Sequence, residues 1–113
     1  MRVDVHTIPG AGVVTAEGEV DLAGSPRLRE ALSDLLATGC RHLVLDLTRV
    51  SFIDSTGLGV LVGAGKKASG LGGCVRVVCD DTRLLRLLAV TGISRTLTVL
   101  PTLDEATDGW PAR

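Results

Sequence analysis

Strand-like and helix-like apolar patterns alternate along this chain. Runs in which apolar and polar residues alternate are followed by stretches in which Leu and Ala recur every three or four positions. This alternation is typical of an α/β fold, in which helices pack against a largely parallel sheet. The strands are predicted at 3–8, 13–20, 42–47, 75–78 and 97–100.

Helical stretches separate and follow these strands. Ser25, which stands before a proline, predicts the start of the first helix, and Gly39 predicts its end. The second helix is expected over 55–68, the third begins at Thr82, and a capping box at 102–105 begins a short last helix. The glycines within 55–68 cost about 1 kcal/mol each relative to alanine, which close packing of the helix on the sheet would explain.

The order of these elements predicts the topology. A short turn at Pro9 and Gly10 joins the first two strands as an antiparallel hairpin. Each later strand follows a helix, so right-handed βα units place the remaining strands in parallel. We expect an α/β fold with a mixed sheet of about five strands and with helices mainly on one side. The length fits one domain over 1–113, with a frayed end that begins at Gly109.

Charge and cysteine content limit the classes of partner. The 12 basic and 13 acidic residues give a net charge of −1, which would not attract nucleic acid or an anionic membrane surface. We therefore expect a protein or small-molecule partner. Cys40, Cys74 and Cys79 are odd in number and lack metal-ligand spacing, which predicts reduced thiols and no metal site. The chain shows no secretion signal and no apolar run of transmembrane length, so a cytoplasmic protein is expected.

The most informative segment reads Asp-Ser-Thr-Gly-Leu from Asp54 to Leu58. Asp54 can cap the second helix, which leaves Ser55 and Thr56 in its first turn. Unpaired backbone N–H groups and the positive end of the helix dipole lie at that turn. A phosphate group would be accommodated there.

Other motifs do not explain this segment. A P-loop would need a glycine where Val60 stands and a hydroxyl residue where Lys67 stands. A nucleophile elbow would need a glycine at Ile53, and both histidines precede Ser55 rather than follow it. The glycines from Gly57 onward weakly match the glycine pattern of a dinucleotide-binding motif, but such a pattern is common by chance. We predict a protein that is not an enzyme and that needs no cofactor.

The segment at 54–58 resembles the phosphorylation motif of the STAS domain, specifically that of bacterial anti-sigma factor antagonists. The resemblance covers nearly the whole chain, because 18–21 and 45–47 also match family blocks in order and spacing. It implies that Ser55 is the phosphoacceptor, and that Thr56 and Asp21 stand beside it. The partner-binding set that it implies is Asp21, Asp54, Ser55, Thr56, Gly57 and Leu58.

Two of these residues keep two interpretations each. Asp54 is either a helix cap alone or a cap that also contacts the kinase. Asp21 is either a solvated acid at a strand end or a residue that positions Ser55. The structure of this strand edge bears on both choices.

The resemblance also implies a function. The unphosphorylated protein would bind an anti-sigma factor that is a serine kinase and so free the sigma factor. The kinase would use ATP and Mg²⁺ to phosphorylate Ser55, and a phosphatase of the PP2C type would reset the switch. The alternative is a STAS module of a stressosome-like or other signalling assembly that binds a different protein. The same fold also occurs fused to anion transporters.

Overall fold

The strands of the sheet lie side by side in the order in which they occur along the chain. The computed structural model describes residues 1–9 and 11–108. The strands are β1 (Arg2–Ile8), β2 (Ala11–Val20), β3 (His42–Ile53), β4 (Cys74–Val78) and β5 (Thr98–Leu100). β1 is antiparallel to β2, and every other neighbouring pair is parallel. The predicted α/β fold with a mixed sheet is confirmed, although Gly10 of the hairpin turn lies outside the described residues.

Helices cover the two faces of the sheet unequally. They are α1 (Ser25–Ala37), α2 (Ser55–Gly70), α3 (Thr82–Val90), α4 (Ile93–Thr96) and α5 (Leu103–Thr107). The first four contribute to one large apolar cluster, together with strand residues such as Leu45 and Val77. α5 packs with Val13, Val44 and Val78, which point to the opposite face because successive strand residues alternate. Most helices therefore lie on one side, as predicted. The short α4 was not predicted. The predicted frayed end begins at Gly109, which lies outside the described residues.

β3 is longer than predicted. The sequence suggested a strand over 42–47 followed by a loop, whereas the strand continues to Ile53. Its second half pairs with β2, with Glu17 opposite Arg49 and Val20 opposite Ile53. The pairing of β2 with β3 has two register shifts of the β-bulge type. Across them the burial of β3 residues no longer alternates strictly, yet Val50 and Ile53 stay buried. The β3 extension therefore depends on pairing with a distant strand.

The start of α1 also differs from the prediction. Gly24 is the N-cap, and Ser25 is a buried first helical residue. The cause lies in the preceding turn. Oδ1 of Asp21 accepts the N–H of Gly24 at 2.9 Å, and the carbonyl oxygen of Asp21 accepts the N–H of Ser25 at 2.7 Å. The turn carries the chain into the helix at Ser25, and no side chain caps α1.

The predicted starts of α3 and α5 are confirmed. α3 begins at Thr82, and the side chain of Asp81 caps it by accepting the N–H groups of Arg83 and Leu84. α5 begins after Thr102, whose hydroxyl oxygen accepts the N–H of Glu105 at 3.1 Å. Both caps use residues within one turn of the helix, which is why the sequence alone predicts them.

The glycines of α2 fall into two groups. A Cβ atom on Gly57 or Gly65 would lie closer than 3.0 Å to atoms of a neighbouring element. A Cβ atom on Gly59 or Gly63 would meet nothing within 4 Å. The expectation that close packing explains the glycines is therefore wrong for Gly59 and Gly63, which border open space.

The three cysteines are free thiols in different environments. Cys74 is exposed, Cys40 is half-buried and Cys79 is buried. Burial raises the pKa of the Cys79 thiol; a hydrogen bond to the backbone of Asp81 opposes this rise, and the nearby Asp80 and Asp81 charges add to it. Cys79 is therefore a protonated core residue at neutral pH.

Candidate functional site

The candidate site lies where β2 and β3 end side by side. The carbonyl oxygen of Val20, the last residue of β2, accepts the N–H of Asp54 at 3.1 Å. The chain after Val20 turns into α1, and the chain after Ile53 begins α2. Because β2 and β3 are parallel, Asp21 and Asp54 emerge at the same edge of the sheet. Binding sites of α/β folds commonly occupy this carboxyl edge.

Asp54 organises the start of α2. Its backbone is extended, with φ −105° and ψ −173°, and its carbonyl oxygen accepts the N–H of Leu58 at 2.9 Å. Its Oδ1 atom accepts the N–H of Thr56 at 2.9 Å and the N–H of Gly57 at 3.1 Å. The hydroxyl of Thr56 donates to the same oxygen. Asp54 is therefore the predicted N-cap, and it also fixes the Thr56 side chain.

These hydrogen bonds lower the pKa of the Asp54 carboxyl from its ordinary value. The Thr56 hydroxyl contributes most, followed by the N–H of Gly57. Partial desolvation opposes the shift, and the backbone N–H groups of Thr56 and Leu22 add to it. Hydrogen bonds to the charged form favour that form, so Asp54 is a carboxylate at neutral pH. A fixed negative charge thus stands next to Ser55.

Ser55 and Thr56 have different environments although they are neighbours in the first turn. Ser55 is exposed, and its hydroxyl makes no hydrogen bond to the part of the chain that the structure describes. Thr56 is half-buried, and its hydroxyl proton is directed to Asp54. Ser55 is thus the more exposed of the two residues, and its hydroxyl is not held by Asp54.

Gly57 allows α2 to begin close to the strand ends. A Cβ atom at this position would lie 2.7 Å from Cγ1 of Ile53, from Cγ1 of Val20 and from the carbonyl oxygen of Val20. Leu58, the next residue, is half-buried and packs against the large apolar cluster. Gly57 and Leu58 therefore place the first turn, whereas Ser55 is the part of it that faces solvent.

Asp21 lies at the same edge but has a structural task of its own. Its side chain closes the turn to Gly24 described above, and the turn carries Leu22 at an exposed position. Among the described residues no hydrogen bond joins Asp21 to Ser55. Asp21 thus shapes the neighbouring loop, whose Leu22 backbone makes a small contribution to the lowered pKa of Asp54.

Two exposed apolar side chains beside this edge were not predicted. Leu22 is 74% exposed and Phe52 is 51% exposed. Phe52 stands two residues before Asp54 and borders a groove of about 240 Å³ that reaches Asp81 and Arg83 at the start of α3. Large apolar residues beside a polar site are typical of a protein-binding surface. The sequence offered one indication, because Phe52 falls among polar residues near the end of a strand.

The remaining described residues offer no competing site of the kinds considered above. Among them, no group of three or more His, Cys, Asp or Glu side chains is placed to hold a metal ion. Within the same ranges, no helix combines the length and the apolar character needed to cross a membrane.

Comparisons with known proteins agree with the fold and with this site. A model of the STAS domain matches residues 2–106. The anti-sigma-B factor antagonist of Bacillus subtilis (strain 168) is 39% identical, over 82% of this chain and 84% of its own length. The anti-sigma-F factor antagonist RsfB of Mycobacterium tuberculosis is 31% identical, over 96% of this chain and 88% of its own length.

A solved structure is similar to the same extent. The crystal structure of an anti-sigma factor antagonist from Mycobacterium paratuberculosis superposes with a TM-score of 0.87 at 31% identity, covering 96% of this chain and 92% of that one. Fold and site therefore define a small α/β regulatory domain, and the chain belongs to the STAS domain family. Within that family it groups with the anti-sigma factor antagonists. The similarities support this prediction over the alternative of a module from another signalling assembly.

Proposed function

We propose that this chain is a partner switch that acts through reversible phosphorylation of Ser55. The chain forms one domain over residues 1–113. Its unphosphorylated form binds an anti-sigma factor that is also a serine kinase, and this binding releases the sigma factor. Phosphorylation by that kinase ends the complex, and a phosphatase of the PP2C type restores it. The protein acts in the cytoplasm and performs no catalysis of its own. The binding surface around Ser55 is formed by Asp21, Asp54, Thr56, Gly57 and Leu58.

The difference between the two first-turn hydroxyls is the observation that carries this proposal. A kinase must reach the acceptor oxygen, and the Ser55 hydroxyl is exposed while the Thr56 hydroxyl is held by Asp54. The helix N-terminus beside Ser55 favours an added anion, so a phosphate there is compatible with the fold. The modification therefore acts on binding rather than on folding.

Charge explains how the phosphate would oppose rebinding. A phosphoserine carries about −1.5 to −2 charge units at pH 7. This charge would stand beside the Asp54 carboxylate and on the edge that carries Asp21 and the exposed Glu19. A partner surface that fits a neutral serine hydroxyl next to these acids would then face added bulk and added repulsion.

Three variants test the proposal. Each is incubated with candidate kinases of this class, ATP and Mg²⁺, and phosphorylation is measured by intact mass. Binding of the kinase is measured by pull-down in ADP. Ser55→Ala should bind the kinase and gain no phosphoryl mass. Ser55→Asp should bind more weakly, although one carboxylate carries less charge than a phosphate. Thr56→Ala is the matched control and should still gain one phosphoryl group. A full mass gain in Ser55→Ala would reject Ser55 as the acceptor.

A further inference from the structure

A cleft runs between α1 and α2, and its lining begins at Gly59, about one helical turn after Ser55. Its volume is about 260 Å³. Leu32 and Leu36 of α1 and Val60 and Ala64 of α2 give it an apolar floor. A cavity of ~150 Å³ is enough to hold benzene, so the space is that of a small organic molecule. A helix of about 10 Å diameter would not enter it.

The charged residues that line this cleft all have one sign. Arg29 lines it from α1 and Lys67 lines it from α2, and no acidic residue is among its lining residues. The acidic residues of α1 face elsewhere, because Glu30 and Asp34 line a separate groove between α1 and β1. Arg29 and Lys67 are both exposed, and two lining cations without a lining acid favour an anion over a cation.

Two glycines keep the cleft open. Gly59 and Gly63 line it, and a Cβ atom on either would meet nothing within 4 Å. Each glycine costs the helix about 1 kcal/mol relative to alanine. Helix packing does not offset this cost at these positions, unlike at Gly57 and Gly65, where neighbours are close. What the glycines provide is open space along the α2 side of the cleft.

We propose that the cleft between α1 and α2 binds a small organic acid with an apolar body. The nine residues from Gly59 to Lys67 span about 12 Å along the helix, which is the length of a medium-chain carboxylate. The chain would lie on the apolar floor, and its carboxylate would meet the Arg29 guanidinium or the Lys67 ammonium group in a charge-assisted hydrogen bond. The argument for this binding site does not depend on the proposed phosphorylation of Ser55.

Octanoate is the probe, titrated against the full chain by calorimetry and by chemical-shift changes of backbone amides. We expect saturable binding, with shifts confined to α1 and α2. Gly63→Leu places a side chain in the cleft and should weaken the affinity at least about tenfold. Gly70→Leu is the matched control, since Gly70 also borders open space in α2 but does not line the cleft; its affinity should stay within about twofold.

Charge is tested separately. Arg29→Gln and Lys67→Gln should each weaken octanoate binding several-fold, and octanol should bind about tenfold more weakly than octanoate. Ser55→Ala should bind octanoate as the parent chain does. Absence of saturable binding, equal affinity for octanol, or an unchanged affinity in Gly63→Leu would overturn the proposal. The parent chain could also fail to bind octanoate while Gly63→Leu loses kinase binding. That result would assign the cleft to a protein partner and would overturn the proposal.

Discussion

Gly57 lies so close to Val20 that a Cβ atom on the glycine would be 2.7 Å from the Val20 carbonyl oxygen. The same oxygen accepts the N–H of Asp54, the cap of α2. A backbone atom cannot turn aside as a flexible side chain can. The end of β2 and the first turn of α2 are therefore fixed to one another, and a change at either one displaces Ser55.

Gly57→Ala should consequently destabilise the fold. The added methyl group must push α2 away from Val20 and Ile53, which we expect to lower the free energy of unfolding by about 1–3 kcal/mol. Urea denaturation measures this loss. Gly59→Ala, in open space on the same helix, should instead raise that free energy by up to about 1 kcal/mol. Equal effects of the two substitutions would contradict the close contact at Gly57.

Acid should remove the stabilisation that the Asp54 carboxylate provides. The pKa of Asp54 in the folded chain lies below the ordinary carboxyl value of 3.8, which the unfolded chain retains. The charged cap therefore stabilises the fold fully above pH 4 to 5, and this contribution is lost as the pH falls through the lowered pKa. Asp54→Asn should reduce the stability most at neutral pH and progressively less towards pH 2.

Thr56→Val gives the matched test of the cause. It removes the hydroxyl that contributes most to the shift, so it should raise the pKa of Asp54 towards the ordinary value. Side-chain carboxyl shifts followed by NMR through an acid titration report the pKa of Asp54 directly. An unchanged pKa in Thr56→Val would show that the backbone N–H groups alone hold the carboxylate.

The exposed apolar residues near Ser55 should contribute to binding of the proposed partner. Leu22→Ser and Phe52→Ser should each weaken binding of the anti-sigma factor kinase by about 1–2 kcal/mol, a change of roughly five- to thirtyfold in the dissociation constant. Calorimetry or surface-based binding measures this change, and thermal unfolding checks the fold. Val90→Ser is the control, because Val90 is 77% exposed, as Leu22 is 74% exposed, but lies at the end of α3. If all three substitutions weakened binding equally, Leu22 and Phe52 would have no special role.

Arg76 should hold α5 on its face of the sheet. Its guanidinium donates to the carbonyl oxygens of Ala106 at 2.9 Å and Asp108 at 3.2 Å, at the end of that helix. Arg76→Met should lower the free energy of unfolding by about 1 kcal/mol and increase amide hydrogen exchange in α5. Arg83→Met, which breaks only an exposed ion pair of 3.9 Å, should change stability by less than about 0.5 kcal/mol. Unchanged exchange in α5 would exclude this role for Arg76.

Local patterns explain which features the sequence could predict. The cap at Asp54, the start of α3 and the hairpin depend on residues within a few positions of each other, and each was predicted. The extension of β3 to Ile53 depends on pairing with Val20, over thirty residues earlier in the chain. The cap at Gly24 depends on the Asp21 turn, which the serine-proline pattern at α1 obscured.

Exposure is the other property that sequence patterns could not provide. Phe52 and Ile53 are adjacent apolar residues, yet the first is 51% exposed and the second is 5% exposed because they point to opposite faces of the sheet. Residue type alone does not separate the hydroxyls of Ser55 and Thr56, whereas the structure separates them by exposure and by the position of the Asp54 carboxylate. Likewise, Gly59 resembles Gly57 until the space around each one is known.

The sheet order, which follows the chain order, has a consequence for synthesis. Each strand after the first pairs with the strand made immediately before it, so a new strand finds a partner already present. The hairpin, β3 and α2 are complete by Gly70, which means that the edge around Ser55 can assemble before β4 and β5 leave the ribosome. The contacts around Ser55 are thus available to a nascent chain, while the edge of β3 has yet to pair with β4.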